Sequence, residues 1–243
     1  MVVCIGDSIT EGLVGYSYVS YIPAEYKAVN KGVNGDTCWG VSQLLCHMKE
    51  SSLYEDAETF VVEVGTNDIL QPYLSQLSPL WKAQVGVRNL WKKFCTEEQA
   101  FLEIYERIVA LLVQGGKRII LIALPYMQMK NYPHEKVCRY NEIIKNLAEK
   151  YGAQFVDIFN LQKQALEQDV RMNWGWIGLA RVGDIVQMLL LPHKKDKFSV
   201  KRNLDLTVDG CHFNSRSAKM LGEAVLECLV ADKAKNKREE IFQ

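Results

Sequence analysis

The chain lacks most of the features that would assign it to a class at a glance. It carries no excess of either charge, with 29 lysine and arginine residues against 29 aspartate and glutamate residues. That balance announces no polyanionic partner, neither nucleic acid nor an anionic membrane. Its cysteines number 7, an odd count with no CxxC pair, which is the pattern of buried, reduced thiols in a cytoplasmic protein. The longest apolar stretch, residues 185–191 with one glutamine inside, is far too short to cross a bilayer. A core-type strand follows Met1 directly and leaves no room for a cleavable apolar leader, so a cytoplasmic location is expected. There is no internal repeat and no low-complexity linker. Histidine is scarce, with 4 residues, which makes any catalytic base easy to search for.

What is present is an alternation of apolar strands and amphipathic helices over 243 residues, a length that fits one α/β domain. Residues 2–5 (VVCI) read as a short buried strand and residues 26–29 as a second. Val41, Leu44, Leu45 and Met48 fall at i, i+3, i+4 and i+7, a helical stripe. Residues 59–64 (TFVVEV) form a β-branched run. Thr96 and Gln99 have capping-box spacing before a helix that aligns Phe101, Ile104, Tyr105, Ile108, Leu111 and Leu112, and Gly115-Gly116 stop it. Residues 118–124 (RIILIAL) make a strand closed by Pro125, residues 133–150 a helix with Gly152 at its C′ position, and residues 154–158 a further strand. A last helix carries Ala218, Leu221, Val225 and Leu229 behind a cap at Asn214 or Ser215.

Uniformly apolar strands between amphipathic helices indicate a parallel sheet covered on both faces. Right-handed crossovers place every strand-to-helix loop on one edge, where open α/β sheets do their chemistry. Residues 70–95 and 160–207 break the alternation and read as insertions over that edge, within a single domain of residues 1–231. The charged stretch 232–243 is expected to fray.

Four short segments fall on the active edge. Gly6-Asp7-Ser8 closes the first strand, and Ser8 reads either as a helix cap or as a nucleophile; the GxSxG pattern of a nucleophile elbow is absent. Asp209 and His212 lie three residues apart, a spacing that lets the carboxylate fix the imidazole tautomer. Cys211 between them raises a Cys–His pair as an alternative. His47 reads as a surface residue, His134 as a first-turn residue of a helix, and His193 as part of the basic run 193–202, a solvated loop or a holder of an anionic substrate. Asn30-Lys31-Gly32-Val33-Asn34-Gly35-Asp36-Thr37, a glycine-bearing loop after the second strand, and Gly65-Thr66-Asn67-Asp68 read as capped turns or as suppliers of donors to a developing oxyanion.

GDSIT, VNGDT, GTND and DGCH, in this order, resemble the four blocks of the SGNH (GDSL-like) hydrolases from residue 2 to about residue 229, the insertions apart. The resemblance implies a three-layer α/β/α, flavodoxin-like sandwich with about five parallel strands. It implies Ser8 as nucleophile, Asp209 and His212 as the rest of a triad, and an oxyanion hole from the Ser8 and Gly35 N–H groups and the Asn67 amide. Asp7 and Asp68 read as residues that fix their loops, with Asp7 also a candidate substrate contact. No metal or cofactor is implied. The expected activity is hydrolysis of a small-molecule ester through an acyl-Ser8 intermediate. Trp174 and Trp176 would suit stacking on an acylated carbohydrate or packing of the insertion's own core. Leu70, Leu74, Leu77, Leu80 and Trp81, with residues 185–191, would suit a longer acyl channel, as in a lipase or thioesterase. An acyltransferase or a non-catalytic binding module on the same scaffold are the rivals.

Overall fold

A computed structural model describes residues 1–176 and 178–241, with the side chains of 176–182, 185 and 232–241 outside the description. Five strands, β1 (Val2–Gly6), β2 (Ala28–Gly32), β3 (Thr59–Glu63), β4 (Arg118–Ile122) and β5 (Gln154–Val156), form one sheet in the order β2-β1-β3-β4-β5. All neighbouring pairs are parallel. β1, β3 and β4 are buried almost throughout, which is why they read as continuous apolar runs. β2 is an edge strand with two exposed positions, and its register lies two to three residues beyond the expected one. Tyr26 belongs instead to a 3₁₀ turn, Ala24–Tyr26, because Lys27 adopts a left-handed backbone (φ 49°) that ends the turn and delays the strand.

The helices are α1 (Ser8–Glu11), α2 (Cys38–Met48), α3 (Ser52–Asp56), α4 (Thr66–Leu77), α5 (Pro79–Arg88), α6 (Glu98–Gln114), α7 (His134–Tyr151), α8 (Ile158–Ala165), α9 (Gly178–Leu190), α10 (Asp196–Arg202) and α11 (Ser215–Ile241). α2, α6 and α7 pack side by side, with Phe101 and Tyr140 ring centroids 4.0 Å apart. α11 covers the sheet beside α8 and a 3₁₀ turn at Tyr18–Tyr21, burying Ala218, Leu221, Val225 and Leu229. The three layers match the expected sandwich.

The structure adds detail to local expectations at three points. The Thr96–Gln99 capping box does not form: α6 starts at Glu98, after Glu97 and without a side-chain cap, and the Gln99 amide donates to Glu103 instead. Residues 70–77, at the start of the first stretch read as an insertion, are helical and form the body of α4, with Pro72 inside it and Ile69, Leu70, Tyr73 and Leu74 buried. α11 runs on to Ile241 through the stretch expected to fray, whose alanine, lysine, arginine and glutamate residues are strong helix formers.

The register places the site. Gly6 pairs with Gly32 on one side and Glu63 on the other, so three strands end at one level. The loops after β1, β2 and β3 therefore leave the sheet as neighbours, at the point where the strand order reverses.

Candidate active site

Steric necessity ends the first strand. A Cβ on Gly6 would lie 2.0 Å from the Glu63 carbonyl oxygen, so only glycine fits there. Asp7 then breaks the extended backbone and caps α1, its Oδ1 accepting from the Ile9 N–H at 2.9 Å. With the cap supplied by Asp7, the Ser8 hydroxyl is left for other work.

Its partner arrives from the far end of the chain. Asp209 to His212 form a tight loop closed by the Val208 N–H donating to the His212 carbonyl at 2.8 Å. Gly210 takes φ 92°, where a side chain would also meet the Gln128 carbonyl. Asp209 Oδ1 accepts from the N–H groups of Cys211 (2.9 Å) and His212 (2.8 Å), and Oδ2 lies 2.8 Å from His212 Nδ1. His212 Nε2 lies 3.1 Å from Ser8 Oγ. Both ring nitrogens are thus engaged and none is left for Cys211. All three side chains are buried. His47 and His193 are exposed, and His134 Nε2 sits 2.9 Å from the Met127 carbonyl while its ring stacks on Tyr126.

Asn67 stands in the first turn of α4, after Gly65 at φ 122°. Its Nδ2 donates to the Asp36 carbonyl at 2.9 Å and to Asp7 Oδ2 at 3.2 Å. Both amide hydrogens therefore point at protein acceptors, and the bond to Asp7 is the longer of the two. Gly35 adopts φ 68° in the loop after β2, with the Arg88 guanidinium 3.1 Å from where its Cβ would be. Asp68 accepts from the Cys38 and Cys95 N–H groups at 3.0 and 2.6 Å, tying α2 and the residue-95 loop to α4; burial pushes its carboxyl up to about 6 against those bonds.

Asp7 is corrected as a substrate contact. It is fully buried beneath Ser8 and faces Glu63, whose Oε2 accepts from Thr10 Oγ1 at 3.0 Å and whose Oε1 has no hydrogen-bond donor. Burial raises both carboxyls, Glu63 well above the ordinary range and further under the charge of Asp7. Asp7 holds Ile9 N–H and Asn67 together. The signal for this pair was a single carboxylate in the otherwise apolar TFVVEV strand.

Ser8, Asn67 and His212 line a cavity of about 140 Å³. Its apolar wall is Leu13, Val14, Leu70, Leu74, Trp81 and Trp174; Asn34, Gln71, Gln84 and Arg88 supply polar groups. Leu77 and Leu80, expected in an acyl channel, do not line it, and Leu80 is exposed. Trp174 lines the cavity but is buried: it stacks on Trp81 at 5.6 Å, and its Nε1 donates to the Asp209 carbonyl at 2.8 Å. The Trp176 side chain lies outside the described residues. Lys195, within the basic run expected to be solvated, is buried instead. Its ammonium donates to the carbonyls of Gly12 (3.0 Å), Leu13 (3.0 Å) and Gly15 (2.5 Å), holding the loop that carries Leu13 and Val14. Among the described residues, no group of three or more histidine, cysteine, aspartate or glutamate side chains is placed to hold a metal ion.

The sequence profile of the GDSL-like Lipase/Acylhydrolase family matches residues 4–178. The chain belongs to that family. It is an acylhydrolase, an enzyme that cleaves ester bonds. The matched segment ends before Asp209 and His212, which the acylhydrolase fold itself brings to Ser8. No curated protein matches the chain by sequence. Among solved structures it is similar to a lipase/acylhydrolase from Enterococcus faecalis (17% identity, 93% of each chain covered, TM-score 0.57). It is similar also to a catalytic mutant of an acetylxylan esterase from Geobacillus stearothermophilus (18% identity, 93% of this chain and 92% of that one, TM-score 0.56). A third is an acetyl xylan esterase, AlAXEase (17% identity, 94% of this chain and 99% of that one, TM-score 0.56). At these identities the likeness is one of fold. Among the described residues, no helix of the acylhydrolase is long and apolar enough to cross a membrane.

Proposed function

We propose that the protein is a serine esterase for short acyl groups, with Ser8 as nucleophile, His212 as general base and acid, and Asp209 as the group that orients and steadies the imidazole. The observation that carries this is the 3.1 Å contact between Ser8 Oγ and His212 Nε2 at a small cavity. His212 takes the Ser8 proton as the oxygen attacks the ester carbonyl. The Ser8 and Gly35 N–H groups and the Asn67 amide receive the oxyanion, Asn67 by releasing Asp7. His212 then gives the proton to the leaving alcohol, and a water activated by the same nitrogen frees the acid.

Size argues for a short acyl group. A cavity of about 140 Å³ compares with the ~150 Å³ that accommodates benzene in a protein core, room for a few carbons but not for a long chain. The acetyl esters named for two similar structures accord with that size. Hydrolysis of p-nitrophenyl acetate is expected to exceed that of the octanoate by tenfold or more in kcat/KM. Equal rates, or a preference for octanoate, would refute the short-acyl assignment.

Asn67→Ala is expected to lower kcat by roughly 10²–10³-fold, the loss that follows removal of one oxyanion donor. KM should change little, because the donation matters most when charge develops. A variant within twofold of the wild-type kcat would remove Asn67 from the oxyanion hole.

A further inference from the structure

We propose that the rim of the cavity is a docking surface for an anionic lipid bilayer, formed on one side by α5 with the turn after it and on the other by α9 and α10. The inference does not depend on which acyl group Ser8 accepts.

On α5, Leu80, Gln84 and Val87 share one helical face. Gln84 lines the cavity, so the exposed Leu80 and Val87 flank its mouth, and Leu90 and Trp91 continue the apolar surface at 73% and 72% exposure. On α9, Met188 is buried against Val14, a cavity wall residue. Val186, Leu189 and Leu190 lie together on another face and are exposed. Val200 of α10 adds a side chain at 80% exposure. Apolar side chains thus stand out from the protein on α5, whose Gln84 lines the cavity, and on α9 and α10, which pack through Met188 and Phe198 on its Val14 wall.

The surrounding charge selects the partner. Residues 79–95 contain Lys82, Arg88, Lys92 and Lys93 and no carboxylate. Residues 186–202 contain Lys194, Lys195, Lys197, Lys201 and Arg202 against Asp196 alone. Not all of this charge is outward: Lys92 pairs with Asp36, Arg202 with Asp184, and Lys195 is buried. Lys194, Lys197 and Lys201 are exposed, and with Leu191 and Phe198 they line a groove of about 220 Å³. Ammonium groups around an apolar floor match an anionic headgroup and the first carbons of its chains. A second copy of this chain fits less well, because a two-fold interface sets each patch against itself and brings lysines to lysines. Nucleic acid would leave the leucines in water.

The test uses the full chain with vesicles of phosphatidylcholine, with and without phosphatidylglycerol. The wild type is expected to float with the anionic vesicles at low ionic strength, to dissociate as salt is added, and to ignore neutral ones. The triple substitution Lys194→Glu, Lys197→Glu and Lys201→Glu should weaken partitioning by at least about 100-fold, from roughly fivefold for each lysine lost, with the added carboxylates repelling the surface further. The double substitution Leu90→Glu and Leu190→Glu should weaken it at least tenfold. p-Nitrophenyl acetate hydrolysis and Tm should be unchanged in both, since none of these side chains lines the cavity. The proposal is overturned if the wild type ignores anionic vesicles at low salt, or if both variants partition as it does. It is also overturned if the wild type is a dimer that Leu90→Glu and Leu190→Glu dissociate. Vesicle binding without ester hydrolysis would leave this inference standing and defeat the esterase assignment alone.

Discussion

Replacing Ser8 with alanine is expected to lower kcat for p-nitrophenyl acetate by on the order of 10⁵-fold, the scale lost when the nucleophile of such a triad is removed. The fold should survive. Ser8 does not cap α1, since that bond comes from Asp7 Oδ1, and the Ser8 hydroxyl meets His212 Nε2 rather than a backbone group. Removing Oγ leaves His212 Nε2 at the cavity surface, where water can replace the lost partner. A fluorophosphonate should label the wild type once and leave Ser8→Ala unlabelled. The two readouts guard each other: undiminished turnover in the variant would mean that another group attacks the ester, and labelling of the variant would point to which. Equal Tm values would exclude unfolding as the reason for lost activity.

The framework of the site was legible because each part of it carries a strong local cause. Gly6 and Gly32 end their strands where side chains would strike a neighbouring chain, and the glycines mark those ends in the sequence. The alternation of apolar runs and helical stripes gave the sheet and its layers. What was misjudged depended on partners distant in sequence. Lys136 and Tyr140 of α7 anchor the Thr96 carbonyl, and α6 begins two residues further on, at Glu98, where a capping box at Thr96 has no helix to cap. α4 runs through Pro72, and the buried face of that helix supplies four cavity residues, Asn67, Leu70, Gln71 and Leu74.

Charge was the least legible property. A net charge of zero is a sum over the chain and conceals where the charges sit. Lysines gathered on the two segments beside the cavity mouth are offset by carboxylates elsewhere, so the total hides a polarised molecule. Within the basic run itself, Lys195 turns inward to three carbonyls whereas Lys194 and Lys197 face out. Only the fold distinguishes neighbours of the same type. Asp7 shows the same effect in reverse. A carboxylate beside a nucleophile invites a role at the substrate, but burial beneath Ser8 makes it a support for Asn67.

Asp209→Asn is expected to lower kcat about 10⁴-fold with little change in Tm, through the tautomer of His212. In the wild type, Asp209 Oδ1 accepts two backbone N–H groups and Oδ2 faces His212 Nδ1 at 2.8 Å. An asparagine carbonyl oxygen can replace Oδ1 and keep both backbone bonds, so the Asp209–His212 loop should hold its shape. The amide NH₂ then faces Nδ1 and makes it an acceptor. The ring proton moves to Nε2, which donates to Ser8 Oγ instead of drawing a proton from it, and the base is lost. Asp209→Ala separates the two duties of this carboxylate. It removes the orienting group and also strands the Cys211 and Cys211-adjacent His212 N–H groups, at a cost of about 1–3 kcal/mol for each buried donor left unpaired. Alanine should therefore lower both Tm and kcat, whereas asparagine should lower kcat alone. An asparagine variant within tenfold of wild-type turnover would mean that His212 needs no carboxylate to hold its tautomer, and that Asp209 serves the loop rather than the reaction.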